Sequence, residues 1–233
     1  IAAVATHAIN PWLFAKMPYD ASRDFAPITQ MLRVPNVLVV NPRALPMADL
    51  PALIAHIRAR PGQVAFGSSG TGSQLHLTGE MFRAAIGAEM THIPYRGANM
   101  ADVLNGSVQI GIQNIGAVLP MVRDGQLRGL GITTLQRSTN APEMPTLVEQ
   151  GFPGFEASSW FGTMAPAGTP QPILNRVQAT SRAILAEPAM RQRFTGLGLD
   201  IVDGDSDQMR ARIADDIAKW ARVIRESGIK LQS

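Results

Sequence analysis

The sequence predicts an α/β fold, and three observations carry that expectation. Short β-branched or apolar runs recur between amphipathic stretches. The loops joining them are short and rich in glycine, proline and small polar residues. Strand-turn-helix units follow one another along the chain. Such alternation implies parallel pairing with right-handed crossovers, and ligands of such sheets gather outside the carboxyl ends of the strands.

Ile1 to Ala5 is apolar and predicts a buried strand, followed by a strand-end loop Thr6-His7-Ala8-Ile9-Asn10-Pro11 and a short helical turn around Trp12 to Lys16. Phe25 to Arg33 and Pro35 to Asn41 predict two strands. The second, with Val37-Leu38-Val39-Val40, has the unbroken apolar run of a strand buried on both faces. Asp49 precedes a helix with Pro51 in its first turn and Leu50, Leu53, Ile54 and Ile57 inward, and Pro61-Gly62 stop it.

Val64 to Gly97 is the most informative stretch. Val64-Ala65-Phe66 predicts a strand, Gly67-Ser68-Ser69-Gly70-Thr71-Gly72-Ser73 a tight turn, and Leu75, Thr78, Phe82 and Ile86, with Met81 and Ala85, the buried face of a helix. Thr71 and Gln74 have the spacing of a capping box. The turn gathers backbone N–H groups and the hydroxyls of Ser69, Thr71 and Ser73 at the positive end of a helix, which suits an anion. Gly70 and Gly72 supply positive φ and close approach. Two readings fit the turn: an anion site, or capping of the helix and nothing more.

Sharper motifs fail on these letters. Ser73 stands where a P-loop needs lysine, Leu75 replaces the last glycine of a dinucleotide fingerprint, and Thr71 closes the place of the last glycine in a nucleophile elbow.

Met90 to Pro94 predicts a strand delivering Tyr95-Arg96-Gly97, then a helix from Ala98 to Asn105 stopped by Gly106. Val108, Ile110 and Ile112 alternate with polar or small residues up to Gln113-Asn114, before a helix near Gly116 to Arg123. Leu127 to Thr133 repeats the pattern, and Pro145 to Gln150 predicts a short helix with Thr146 and Glu149 as its capping box. Thr169 is expected to cap a helix with Pro170 at its first position and Ile173, Leu174, Val177, Ser181, Ile184 and Leu185 inward. A short helix after Pro188, a strand at Leu199 to Val202, and a last helix from about Asp207 to Ser227 with Met209, Ile213, Trp220 and Ile224 inward complete the chain, with Gly228 ending it.

Composition narrows the function. The 233 residues, 45% hydrophobic, can fill one generous core or two modest ones. Lys+Arg 21 against Asp+Glu 18 gives +3, with the cations scattered, which argues against nucleic acid as a partner. There is no cysteine, and the four histidines lack metal-ligand spacing, so no metal or cofactor is expected. No apolar run reaches the roughly 20 residues of a membrane-spanning helix. The chain opens at Ile1 with neither initiator methionine nor leader, the pattern of a processed, trimmed or incomplete chain.

Several runs, in one order, resemble the Bug-type extracytoplasmic solute receptors of tripartite tricarboxylate transporters. They are Thr6 to Pro11, Pro18-Tyr19-Asp20 with Asp24 to Pro27, Pro35 to Val40, Ser68 to Ser73 with His76-Leu77, and His92 to Gly97. Pro145-Thr146, Gly151 to Phe155, Trp160-Phe161-Gly162 and Ala165 to Pro170 continue the series.

The resemblance implies a type II periplasmic-binding fold of two doubly wound lobes, located in the periplasm, that closes on a small carboxylate (a dicarboxylate, acidic amino acid or aromatic acid) and docks to membrane permease subunits. It implies a first lobe of residues 1–36 and 165–233, incomplete through absence of an amino-terminal strand-helix-strand-helix portion, and a second lobe of 37–164. Self-association through exposed first-lobe edges is then expected. By position, Ser69, Thr71, Gly72, Ser73, Tyr95, Gly97 and Asn114 would contact ligand from one lobe and Thr6, His7 and Ala8 from the other. Asn114 stands where many members have aspartate. Two other readings remain: an α/β hydrolase pairing Ser69 or Ser73 with His76 or His92, and a truncated remnant without ligand.

Overall fold

The computed structural model describes residues 1–97 and 100–229. In chain order these form β1 (Ala2–Ala3), a π-helical turn (Ala5–Ile9), α1 (Asn10–Leu13), β2 (Phe25–Val34), β3 (Asn36–Val40), α2 (Leu50–Arg58), β4 (Ala65–Ser68) and α3 (Gln74–Ile86). Then come β5 (Thr91–Pro94), α4 (Met100–Asn105), β6 (Ile110–Asn114), α5 (Ile115–Arg123), β7 (Arg128–Ile132), β8 (Ser159–Pro166), α6 (Gln171–Ala186), α7 (Pro188–Gly196), β9 (Asp200–Ile201) and α8 (Ser206–Ser227). The chain divides into two units, one of Ile1–Val34 with Ser159–Ser233 and one of Pro35–Ser158.

The Pro35–Ser158 unit holds a five-stranded sheet in the order β5-β4-β6-β3-β7. β4 runs parallel to β5 and β6, whereas β3 runs antiparallel to β6 and β7. The uniform parallel pairing expected from the alternation therefore fails at β3, whose partners β6 and β7 are not its neighbours in sequence, so no single crossover links β3 to either. Its burial on every residue agrees with its apolar run and its interior position. Val37 and Val39 pack with Val103, Val108, Ile115, Val118 and Ile132 in one core cluster. Each such side chain contributes about 1.5–3 kcal/mol on burial.

Asp49 caps α2, its carboxylate accepting from the Ala52 N–H at 2.9 Å. The cap of α3 is Ser73, whose hydroxyl accepts from the His76 N–H at 3.2 Å, rather than the expected Thr71–Gln74 box. Gln74 instead turns its amide inward. Burial along α3 extends past the predicted stripe to His76, Leu77, Gly79 and Glu80, because Gly79 lets β4 approach closely: a Cβ there would lie 2.1 Å from the Phe66 ring. Thr146 and Glu149 do bond reciprocally, at 2.7 and 3.1 Å, but the segment is a turn and not a helix. The expected start of α4 at Ala98 lies outside the described residues.

The other unit has an antiparallel sheet in the order β1-β8-β2-β9. α8 packs on it through Met209, Ile213, Trp220 and Ile224, begins with a capping box between Asp205 and Gln208, and ends at Gly228 with φ 67°. Beneath it Trp160 Nε1 donates to the buried Asp216 carboxylate at 2.7 Å. That carboxylate also takes Arg212 at 2.9 Å and Lys219 at 2.6 Å.

Four local expectations change in this unit. The opening strand is only Ala2–Ala3, and Thr6 to Pro11 is helical instead of a loop. Thr169 does not cap α6; its hydroxyl bonds back to the Pro166 carbonyl at 2.8 Å. The inward stripe of α6 is Leu174, Gln178, Ser181 and Leu185, while Ile173, Val177 and Ile184 are exposed. The apolar letters there are spread wider than the face that β2 covers.

Candidate ligand-binding site

Seven of the predicted positions lie at or just beyond the carboxyl ends of parallel strands of one sheet. Ser69, Thr71, Gly72 and Ser73 follow β4, Tyr95 and Gly97 follow β5, and Asn114 ends β6. The loops after β4 and β5 are stitched together, since the Tyr95 N–H donates to the Ser68 carbonyl at 3.1 Å. The glycines hold positive φ as the turn requires, 134° at Gly70 and 78° at Gly72. A Cβ on Gly70 would stand 3.1 Å from the Tyr95 carbonyl.

Not every donor of the turn is free. The Gly70 N–H donates to Ser68 Oγ at 3.2 Å and the Gly72 N–H to His76 Nδ1 at 3.0 Å. The Ser73 N–H donates to the Gly70 carbonyl at 3.1 Å. What remains outward is Ser69 and Thr71, both exposed, whose hydroxyls make no hydrogen bond among the described residues. Asn114 is likewise exposed and heads α5 without capping it.

Tyr95 donates its hydroxyl proton to Asp102 Oδ2 at 2.5 Å, and that bond pushes its pKa up to about 12. Arg96, next in sequence, is exposed, as is Gly97.

Behind the turn lies a buried amide and hydroxyl network. Asn36 Nδ2 donates to Gln74 Oε1 at 3.0 Å and to the Ala157 carbonyl at 2.9 Å, Gln74 Nε2 donates to Thr78 Oγ1 at 2.9 Å, and Thr133 Oγ1 donates to the Ala157 carbonyl at 2.6 Å. Asn36 Oδ1 is buried without a partner.

His76 and His92 were not paired by sequence reasoning, yet their rings stack with centroids 3.6 Å apart and planes 9° from parallel. Strand alternation is the signal that could have found this. In the parallel register Phe66 faces His92 and Ser68 faces Pro94, so these side chains share the sheet face on which α3 begins.

Among the other unit's candidates, Thr6 Oγ1 lies 2.8 Å from His7 Nδ1, and the Thr6 carbonyl accepts from the Tyr19 hydroxyl at 2.8 Å. The His7 ring, between Tyr19 and Phe25, is buried with Nε2 unpartnered, and burial lowers its pKa. Ala8 is wholly enclosed.

The hydrolase reading finds no machinery. His92 Nε2 meets Ser68 Oγ at 2.7 Å, and Ser68 is fully buried, beyond reach of a substrate. His76 is engaged by the Gly72 N–H, and the Ser73 hydroxyl by the His76 N–H. Neither Ser69 nor Ser73 has an imidazole as base. Among the described residues no group of three or more potential metal ligands assembles, and no helix is long and apolar enough to cross a membrane.

A family model described as "Tripartite tricarboxylate transporter family receptor" matches residues 1–229. The chain belongs to that family. BugT of Bordetella pertussis is 42% identical over 97% of this chain and 69% of its own length. A solved structure from R. palustris, Rpa4515 with adipate, is 33% identical, covering 98% of this chain and 77% of that one, with a TM-score of 0.83. Another, described as a periplasmic transporter, is 30% identical over 99% and 78%, with a TM-score of 0.84. The fold is therefore that of the tripartite tricarboxylate receptors, an α/β fold of the periplasmic-binding kind, and the chain has their solute-binding role and is not an enzyme.

Proposed function

We propose that this receptor captures a small carboxylate in the periplasm and delivers it to membrane permease subunits of a tripartite transporter. The observation that carries the reading is the turn before α3, where the unbonded hydroxyls of Ser69 and Thr71 stand at the positive end of a 13-residue helix. The adipate held by the relative from R. palustris supports a dicarboxylate as the ligand class.

A helix terminus supplies at most about 2 kcal/mol, while micromolar affinity needs about 8 kcal/mol. Further contacts are thus required, and within the Pro35–Ser158 unit we assign them to Gly72, Ser73, Tyr95, Gly97 and Asn114. Arg96, exposed beside Tyr95, would draw anions toward these loops.

Calorimetric titration with adipate, succinate, glutamate and nicotinate tests the proposal. Saturable binding of at least one acid is expected, weakened roughly three- to tenfold by Ser69→Ala or Thr71→Val, since one hydroxyl contributes about 0.5–1.5 kcal/mol. Absence of saturable heat with all four, or affinity indifferent to both substitutions, would overturn it.

A further inference from the structure

We propose that His76 and His92 are positioning residues, a neutral stacked pair that fixes the Ser68–Ser73 turn from behind, so that a proton entering the pair releases the turn and the carboxylate held on it. This rests on the reading of the turn as the carboxylate site.

The hydrogen bonds assign the protons. Gly72 donates its N–H to His76 Nδ1 at 3.0 Å, so that nitrogen must be bare. The neutral ring then carries its proton on Nε2, 3.7 Å from Glu80 Oε1. Ser68 Oγ lies 2.7 Å from His92 Nε2 and 3.1 Å from the Gly70 carbonyl, and it accepts the Gly70 N–H. A hydroxyl has one proton to give, so all three contacts hold only when His92 donates from Nε2 and Ser68 donates to Gly70. One ring thus grips the start of the turn and the other its end.

The pair has no room for charge of its own. His76 is 4% exposed, and rings 3.6 Å apart leave no space for water between them. The charged groups facing it are Glu80, one turn along α3 from His76, and Arg83, which reaches the same carboxylate at 2.7 Å and Glu89 at 2.9 Å. From β4 the neighbours are the Phe66 ring, 5.0 Å from His92, and Ser68. Burial would raise the Glu80 carboxyl, but His76 and Arg83 offset this and hold it low. Burial first, then the neighbouring His76, holds His92 down at about 4. A proton placed on His76 Nδ1 would set two donors face to face and expel the Gly72 N–H. A second positive ring in the stack would repel the first at van der Waals distance.

The test uses a variant that keeps both hydrogen bonds and removes both imidazoles. His76→Asn places an amide oxygen near Nδ1, and His92→Gln places an amide N–H near Nε2. In the ligand-free wild type, the Gly70 and Gly72 amide resonances should move as His92 takes up its proton near pH 4, and should stay fixed in the double variant.

Adipate affinity, measured through the same titration, should fall more steeply in the wild type than in the double variant. The ligand's own protonation is common to both and cancels in the comparison. His76→Leu, which leaves the Gly72 N–H unpaired, should weaken adipate about tenfold at every pH. Gly72 amides that ignore the histidine titration, or parallel affinity profiles, would overturn the inference. If no adipate binds while the amides still follow the histidines, the carboxylate reading fails and the positioning of the turn stands.

Discussion

The Gly72 N–H donates to His76 Nδ1 at 3.0 Å, so a donor of the glycine-rich turn is satisfied by the helix it precedes. The turn is therefore held in part by the protein's own groups, and His76, stacked on His92, is one of them.

Stability should depend on pH through His92. Its folded value, about 4, lies below the ordinary 6.5, so the unfolded chain takes the proton first as pH falls. Stability is full above about 6.5, declines toward 4 and levels off below. Thermal melts of wild type and His92→Gln across that range check this, with the variant showing the shallower decline.

Gly70→Ala should distort the turn. Its φ of 134° is costly for any residue with a Cβ, and the added carbon would press on the Tyr95 carbonyl at 3.1 Å. A loss of about 1–3 kcal/mol in stability is expected from thermal melts.

Gly79→Ala should disturb the strand behind the turn. The new Cβ would fall 2.1 Å from Phe66 Cε2, and the ring, flanked by His76 and His92, must move. A cost of about 1–3 kcal/mol is expected, partly restored by the second substitution Phe66→Leu, in denaturant titrations.

Asp216→Ala should destabilise the Ile1–Val34 with Ser159–Ser233 unit strongly. The carboxylate, 1% exposed, accepts from Trp160, Arg212 and Lys219, and its loss strands buried donors at a cost of about 3–5 kcal/mol. Asp216→Asn, which keeps an acceptor for Trp160, should cost less in the same melts.

The two faces of α6 should respond differently. Ile173→Ser and Val177→Ser, at exposed positions, should change stability by less than about 0.5 kcal/mol. Leu185→Ala, on the buried side, should cost about 2–5 kcal/mol.

Much of the geometry of the turn was legible in letters. A glycine-rich turn between an apolar run and an amphipathic helix announces backbone with positive φ at a helix start, and Gly70 and Gly72 adopt it. Gln74 shows the limit: its spacing from Thr71 fitted a capping box, yet its amide serves Asn36 and Thr78 from within the core. Capping is local chemistry, but which hydroxyl captures the helix depends on how the strand before it is anchored.

Local patterns alone determined that β3 is buried, that α8 presents Met209, Ile213, Trp220 and Ile224, and that small residues crowd the end of β4, because each follows from side-chain size and periodicity within a few residues. The direction of β3, the narrow covered stripe of α6, and the meeting of His76 with His92 were settled by tertiary structure. Each depends on which distant segment lies alongside, and a pattern along one segment carries no record of its neighbour.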